Sequence, residues 1–210
     1  MPLHFSTEAM EHLVAADPVM ARLVEARGPI DLDARRRGRP DDSYGALLRS
    51  ITGQQLSVRA ARTIYLRVLD LYGGSTPTPR QLIETDPEDL RTAGLSYAKA
   101  AYLRDLAEKV ESGELDLDRL PALEDREVAD MLVSVKGLGQ WTADMFMMFH
   151  LGRPDVLPVG DLGIRKAAEL HYGLRKLPSP DRLKRLARPW RPYRTLACVY
   201  LWESLENTPD

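Results

Sequence analysis

Apolar residues recur along the chain at helical spacing. Val128, Met131, Leu132 and Val135 stand at i, i+3, i+4 and i+7, the stripe of one face of an amphipathic helix. Trp141, Met145, Met148 and Phe149 form a second stripe. Ala100, Leu103, Leu106, Ala107 and Val110 mark a longer helix that Ser96 caps and Gly113 ends. Asp86-Pro87-Glu88-Asp89-Leu90 reads as an N-cap, a proline at the first helical position and acids in the first turn, with Gly94 as the stop. Ser179-Pro180-Asp181 opens a late helix that Pro189 must end or kink. Further helices fit residues 7–26, 43–52 and 57–71. No segment alternates apolar and polar residues cleanly between turn residues, and no solenoid period stands out. The pattern predicts an all-α fold of about ten helices joined by short loops.

Composition narrows the class. At about 150 residues per domain, 210 residues fit one compact domain or two lobes. Apolar content of 44% and charged content of 29% exclude a disordered or collagen-like chain. The single cysteine, Cys198, excludes an internal disulfide, a four-cysteine iron–sulfur cluster and a Cys-rich zinc site, and reads as inert core. His4, His12, His150 and His171 have no metal-ligand spacing. The longest uncharged apolar run, Leu196 to Trp202, is far shorter than the roughly 20 residues of a membrane span. Charges at Glu8, Glu11, Asp17, Arg22, Glu25 and Arg27 break any signal-peptide core, so a cytoplasmic location is expected, on the nucleoid in a prokaryote. A net charge of −2 argues against coating nucleic acid by bulk charge, though not against gripping a short stretch. Two runs are locally basic: Arg35-Arg36-Arg37-Gly38-Arg39, and residues 181–194, where Arg182, Lys184, Arg185, Arg188, Arg191 and Arg194 face Asp181 alone. A solvated helix face is the ordinary reading of both.

The most informative stretch is Val133-Ser134-Val135-Lys136-Gly137-Leu138-Gly139-Gln140-Trp141-Thr142-Ala143-Asp144, a Gly-x-Gly turn between two amphipathic helices. Glycine at both positions lets the backbone take positive φ and keeps side chains off the corner. The N–H groups of Gly139 and Gln140 then point outward at a helix start, which suits a DNA phosphate. A tight αα-hairpin with no ligand is the competing reading.

Downstream comes Val156-Leu157-Pro158-Val159-Gly160-Asp161-Leu162-Gly163-Ile164-Arg165-Lys166. The order of these elements resembles the helix-hairpin-helix, Gly/Pro-rich loop and aspartate (HhH-GPD) motif of the DNA glycosylase superfamily. Gly139-Gln140-Trp141-Thr142-Ala143, Thr52-Gly53-Gln54-Gln55-Leu56-Ser57, and Trp190-Arg191-Pro192-Tyr193-Arg194 through Trp202 are similar to its 3-methyladenine DNA glycosylase II branch. The likeness covers roughly residues 40–206. It implies one helical domain without an N-terminal β-rich lobe. The active-site cleft would lie between a lobe 45–150 and a lobe of 1–44 with 151–210.

The resemblance implies that Asp161 stabilises the cation growing on the sugar as the base leaves. Asp161 is equally suited to cap the helix beginning at Leu162, and the two roles are compatible. Bifunctional members use a lysine where Trp141 stands, so a monofunctional enzyme is expected. Lys136 replaces a frequent proline and, with Gly137, Leu138, Gly139 and Gln140, is expected at a phosphate. Gln54 and Gln55 either contact nucleic acid or cap a helix end. Tyr97 matches the side chain that wedges into the base stack, with Leu95 as its rival. Trp141 and Trp202 match aromatic pocket walls, although both fit core anchors as well. Met145 and Leu162 stand where some members carry further aromatics, so the pocket would be less aromatic. The main-chain carbonyls of Val133, Val135 and Leu138 match a monovalent cation site, for Na+ or K+, and no organic cofactor is implied. The expected substrate is duplex DNA bearing an alkylated base of 3-methyladenine or 7-methylguanine type, met by a monomer. The rivals are a non-catalytic binder of damaged or bent DNA and a glycosylase for oxidised or mismatched bases.

Overall fold

Polar caps fix the helix boundaries. In the computed structural model, which describes residues 7–31 and 38–206, twelve α-helices and one 3-10 helix occur and no strand is present among those residues. The helices are α1 (Thr7–Ala16), α2 (Pro18–Arg27), α3 (Ser43–Gly53), α4 (Val58–Asp70), α5 (Pro79–Glu84), α6 (Pro87–Thr92) and α7 (Tyr97–Glu111). Then come the 3-10 helix (Leu117–Ala122), α8 (Asp125–Val133), α9 (Gln140–Phe149), α10 (Leu162–His171), α11 (Pro180–Leu186) and α12 (Arg194–Glu206). Asp42, Ser57, Asp86, Ser96, Asp161 and Ser179 each accept a backbone N–H of the helix that follows. No helix among the described residues is long and apolar enough to cross a membrane.

The single helix expected over 7–26 is two. Pro18 has no N–H to donate, and Asp17 at φ −150° caps α2 through the Val19 and Met20 N–H groups. Helix α8 stops at Val133, two residues short of the end of its apolar stripe. Helix α5 and the 3-10 helix are additional to those expected. The first rests on a capping box in which Thr78 and Gln81 serve each other's backbone.

The chain divides into two units, Gly38–Phe146, and Met1–Arg37 with Met147–Asp210. In the second, Asp17 is buried beneath the core residue Trp190. Its Oδ2 accepts the Tyr172 hydroxyl at 2.6 Å and the Trp190 indole N–H at 2.8 Å, binding α2 to the segment before α12. Losing the Asp17 carboxylate would orphan buried donors at about 1–3 kcal/mol each. Arg27 donates from Nε to Glu203 at 2.8 Å and holds α12 against α2. In the Gly38–Phe146 unit, Leu103, Leu106 and Ala107 of α7 are fully buried, and α7 packs on α3, α5 and α6.

Candidate active site

Asp161 is only 8% exposed and caps α10, its Oδ1 accepting the Ile164 N–H at 2.8 Å. The same oxygen accepts the Trp202 indole N–H at 2.9 Å. Trp202, on α12, is half-buried and lies 6.0 Å from the Phe149 ring centroid. Gly163 makes this approach sterically feasible: a Cβ there would sit 3.0 Å from Trp202 Cδ1 and 3.1 Å from Asp161 Oδ1. The sequence pattern singles out Asp161 and Trp202 separately and gives no sign of Gly163. Leu162, 51% exposed, begins the same helix.

The hairpin belongs to the Gly38–Phe146 unit. Gly137 has φ +82°, and a Cβ there would overlap the Tyr102 ring, so both backbone and space demand glycine. Gly139 departs from expectation: it is not among the positive-φ glycines, and nothing lies within 4 Å of the place its Cβ would take. Its carbonyl accepts the N–H groups of Thr142 and Ala143, which makes it the N-cap of α9 without a capping side chain. The Leu138 N–H is committed to Val135 O at 3.1 Å, so Leu138 cannot offer that donor to a ligand. Val133, Val135 and Leu138 present neutral carbonyl oxygens, a donor set that suits a hard monovalent cation; that of Val135 keeps a second lone pair beyond Leu138. Among the described residues no cluster of His, Cys, Asp or Glu is arranged for a metal ion.

Lys136 is held from two sides by Asp105, whose Oδ2 accepts its N–H at 2.9 Å and whose Oδ1 lies 3.0 Å from its ammonium. Burial pushes the Asp105 carboxyl up, but the Lys136 contacts and Lys109 outweigh it and hold it below its ordinary range. Gln54 ends α3, and its amide donates to Gly137 O at 2.8 Å. One amide N–H of Gln54 thus serves the hairpin itself. Gln55 is exposed, at φ +58°. Lys99 donates to Thr52 O at 2.8 Å and to Gln54 O at 2.7 Å, pinning the same loop. Leu95 is corrected as a wedge: at 4% exposure it is core and cannot enter a base stack without leaving its packing. Tyr97 is 62% exposed, with the Arg91 guanidinium 3.6 Å from its ring centroid and its hydroxyl donating to Glu88 at 3.0 Å. Trp141 is 50% exposed on the first turn of α9, while Met145 is half-buried one turn on. Of the two basic runs, Arg35, Arg36 and Arg37 lie outside the described residues.

A carboxylate capping one helix and a glycine-cornered hairpin opening another define a class. Residues 48–192 match the model of the HhH-GPD superfamily of base excision DNA repair proteins, and the chain belongs to that superfamily. It is similar to a solved DNA-3-methyladenine glycosidase of Bacillus halodurans, with 40% identity and a TM-score of 0.85 over 97% of this chain and 91% of the other. The Schizosaccharomyces pombe 3-methyladenine DNA glycosylase Mag1, solved in complex with abasic DNA, superposes with a TM-score of 0.81 at 32% identity, covering 95% and 97% of the two chains. A putative DNA-3-methyladenine glycosylase of Bacillus subtilis is 32% identical over 78% of this chain; the match spans 59% of that relative's length.

Proposed function

We propose that this chain is a monofunctional DNA glycosylase that removes alkylated bases, of 3-methyladenine and 7-methylguanine type, from duplex DNA and leaves an abasic site. The observation that supports the assignment of the acid is the doubly held Asp161 carboxylate at the start of α10. In this reading the C–N bond breaks with its electron pair leaving on the base. Asp161 stabilises the cation left on the sugar, and water then adds to the anomeric carbon and loses a proton. An alkylated purine already carries positive charge on its ring. It therefore leaves without a dedicated general acid, and it gains cation–π attraction from an indole face.

Trp141 offers such a face, with stacking worth about 1–3 kcal/mol per base. Trp202 and Leu162 border the acid, and Met145 gives the base a pliable thioether surface. Lys136, Gly137, Gly139 and Gln140 receive a backbone phosphate around the corner that Leu138 anchors, Gln55 reaches nucleic acid beside it, and Tyr97 fills the gap left by the extruded base. A monovalent cation held by the carbonyls of Val133, Val135 and Leu138 would add positive charge next to that phosphate. Because Trp141 supplies no amine, no Schiff base forms, and borohydride traps no covalent adduct. The enzyme acts as a monomer in the cytoplasm, on the nucleoid if the cell is prokaryotic.

The test is a set of duplexes, each with one alkylated, oxidised or mismatched base, scored for alkali-labile sites. Wild type is expected to make alkali-labile sites in the alkylated duplexes. Asp161→Asn, which keeps a capping side chain, is expected to lose excision by about 10²-fold or more while still binding an abasic duplex. Binding without excision by wild type would leave a damage sensor instead, and excision confined to oxidised or mismatched bases would change the substrate class.

A further inference from the structure

The segment running from α11 to α12 carries a basic surface that the chemistry above does not use. Its chain stays coiled beyond Leu186: Ala187 donates to Leu183 O at 2.9 Å, Arg188 to Arg185 O at 3.4 Å, Trp190 to Ala187 O at 3.3 Å and Arg191 to Arg188 O at 3.4 Å. Leu183, Ala187 and Trp190 are fully buried on one side of this coil. Arg182, Arg185, Arg188 and Arg191 follow at intervals of three residues and are all exposed. At a rise of about 1.5–2.0 Å per residue, the column is about 14–18 Å long. Among the described residues, Arg182, Arg185 and Arg188 have no acidic partner; Arg191 lies 3.6 Å from Asp155, and Asp181 is 3.8 Å from Lys184. Like charges one turn apart repel, so the column destabilises the free protein slightly and is relieved by an anionic ligand.

We infer that this arginine column is a second grip on the phosphate backbone of duplex DNA, additional to the hairpin; the inference rests on duplex DNA being the substrate. Exposed guanidinium groups that recur along one segment complement the phosphates that recur along a DNA strand. The planar fork of arginine binds phosphate oxygens in pairs and reads no sequence. The Arg165 guanidinium donates from Nε to Pro178 O at 2.9 Å. That bond ties the first turns of α10, the helix capped by Asp161, to the chain just ahead of α11. In the proposed reading, a duplex that presents its sugar to Asp161 would extend its backbone toward the start of α11.

The experiment is equilibrium binding to an undamaged duplex between about 50 and 200 mM salt, together with single-turnover excision at saturating enzyme. Each phosphate that is no longer neutralised lowers the slope of log K against log salt by about 0.9, so Arg182→Gln/Arg185→Gln/Arg188→Gln is expected to reduce it by about 2.7. Over that fourfold rise in salt, the affinity of wild type then falls about 40-fold further than that of the variant. The saturated excision rate is expected to stay at the wild-type value. The triple Lys variant is expected to keep the slope. A control triple at Arg80, Arg119 and Arg126, exposed arginines elsewhere with the same charge change, is expected to keep it too. Arg185→Gln alone, expected to reduce the slope by about 0.9, serves if the triple variant does not fold. An unchanged slope in the Gln variants, or an equal reduction in the control, overturns the inference. Failure of wild type to excise overturns the proposed activity instead, and the slope still reports on the column.

Discussion

Trp202 and Asp161, 41 residues apart in the chain, are joined by an indole N–H donated to Oδ1 at 2.9 Å. The Ile164 N–H reaches that same oxygen from the first turn of α10. Two donors converging on one oxygen from different elements leave the carboxylate little rotational freedom. The carboxylate is thereby fixed relative to the first turn of α10. A fixed charge of this kind stabilises a developing cation without reorganising during the reaction. On the proposed assignment of Asp161 as the acid, the indole is a positioning group for it as well as a wall beside it.

Trp202→Phe separates those two roles. Phenylalanine keeps a ring against Phe149 and deletes the donor. A hydrogen bond to a charged group contributes about 1.5–3 kcal/mol, so single-turnover excision is expected to fall about 10- to 100-fold. The Kd for an abasic duplex is expected to stay within about threefold of wild type, because the deleted interaction matters mainly as charge develops. A weakening of binding as large as the fall in rate would make Trp202 a wall alone.

Gly163→Ala tests the same pairing from the other side. The new methyl would stand 3.0 Å from Trp202 Cδ1 and 3.1 Å from its Nε1, so the indole must retreat from Asp161. Alanine is the better helix former by about 1 kcal/mol, which offsets the crowding. The expected signature is a melting temperature close to wild type with excision reduced at least about 10-fold, a split that general unfolding does not produce. Parallel loss of stability and rate would show that the helix, not the indole, absorbs the methyl.

Much of this was legible because it is local. Gly137, the Asp161 cap and the Pro87 and Pro180 helix starts act on residues one to four positions away, where sequence pattern reports directly. The unread parts depend on packing between distant segments. Gln54 meets Gly137 O across 83 residues, and nothing in Thr52-Gly53-Gln54-Gln55 announces that partner. Leu95 and Tyr97 are two residues apart at a helix start. Only the packing beneath Ser96 decides that the first is core and the second exposed. The break at Asp17-Pro18 was written in the sequence as an N-cap followed by proline, and a continuous apolar pattern across 7–26 concealed it.

Lys99→Met is expected to loosen the loop after α3. The ammonium is held by two carbonyls, Thr52 O and Gln54 O, and burial pulls its pKa below the ordinary lysine value. Methionine retains most of the stem and leaves both acceptors without that partner, at about 1–3 kcal/mol. Amide hydrogen exchange at residues 53–57 is expected to accelerate while exchange in the core of α7 is unchanged. Uniform protection across both segments would mean that the loop is held by other interactions.

Asp144 makes stability depend on pH in a direction opposite to that of most acids. Burial raises its carboxyl to about 6, partly countered by the Gln140 amide donating at 2.8 Å. In the unfolded chain an aspartate titrates near 3.9, so the folded state holds this proton more tightly. The stabilisation is therefore complete below about pH 4 and is lost as pH rises through about 6. Asp144→Asn keeps an acceptor for Gln140 and removes the buried charge. The variant is expected to melt a few degrees above wild type at about pH 8, with the gap narrowing between about pH 7 and 5 and closing near pH 4. Thermal unfolding across that range measures it directly. A gap of constant size from about pH 4 to 8 would show that the ionised carboxylate is not what burial penalises.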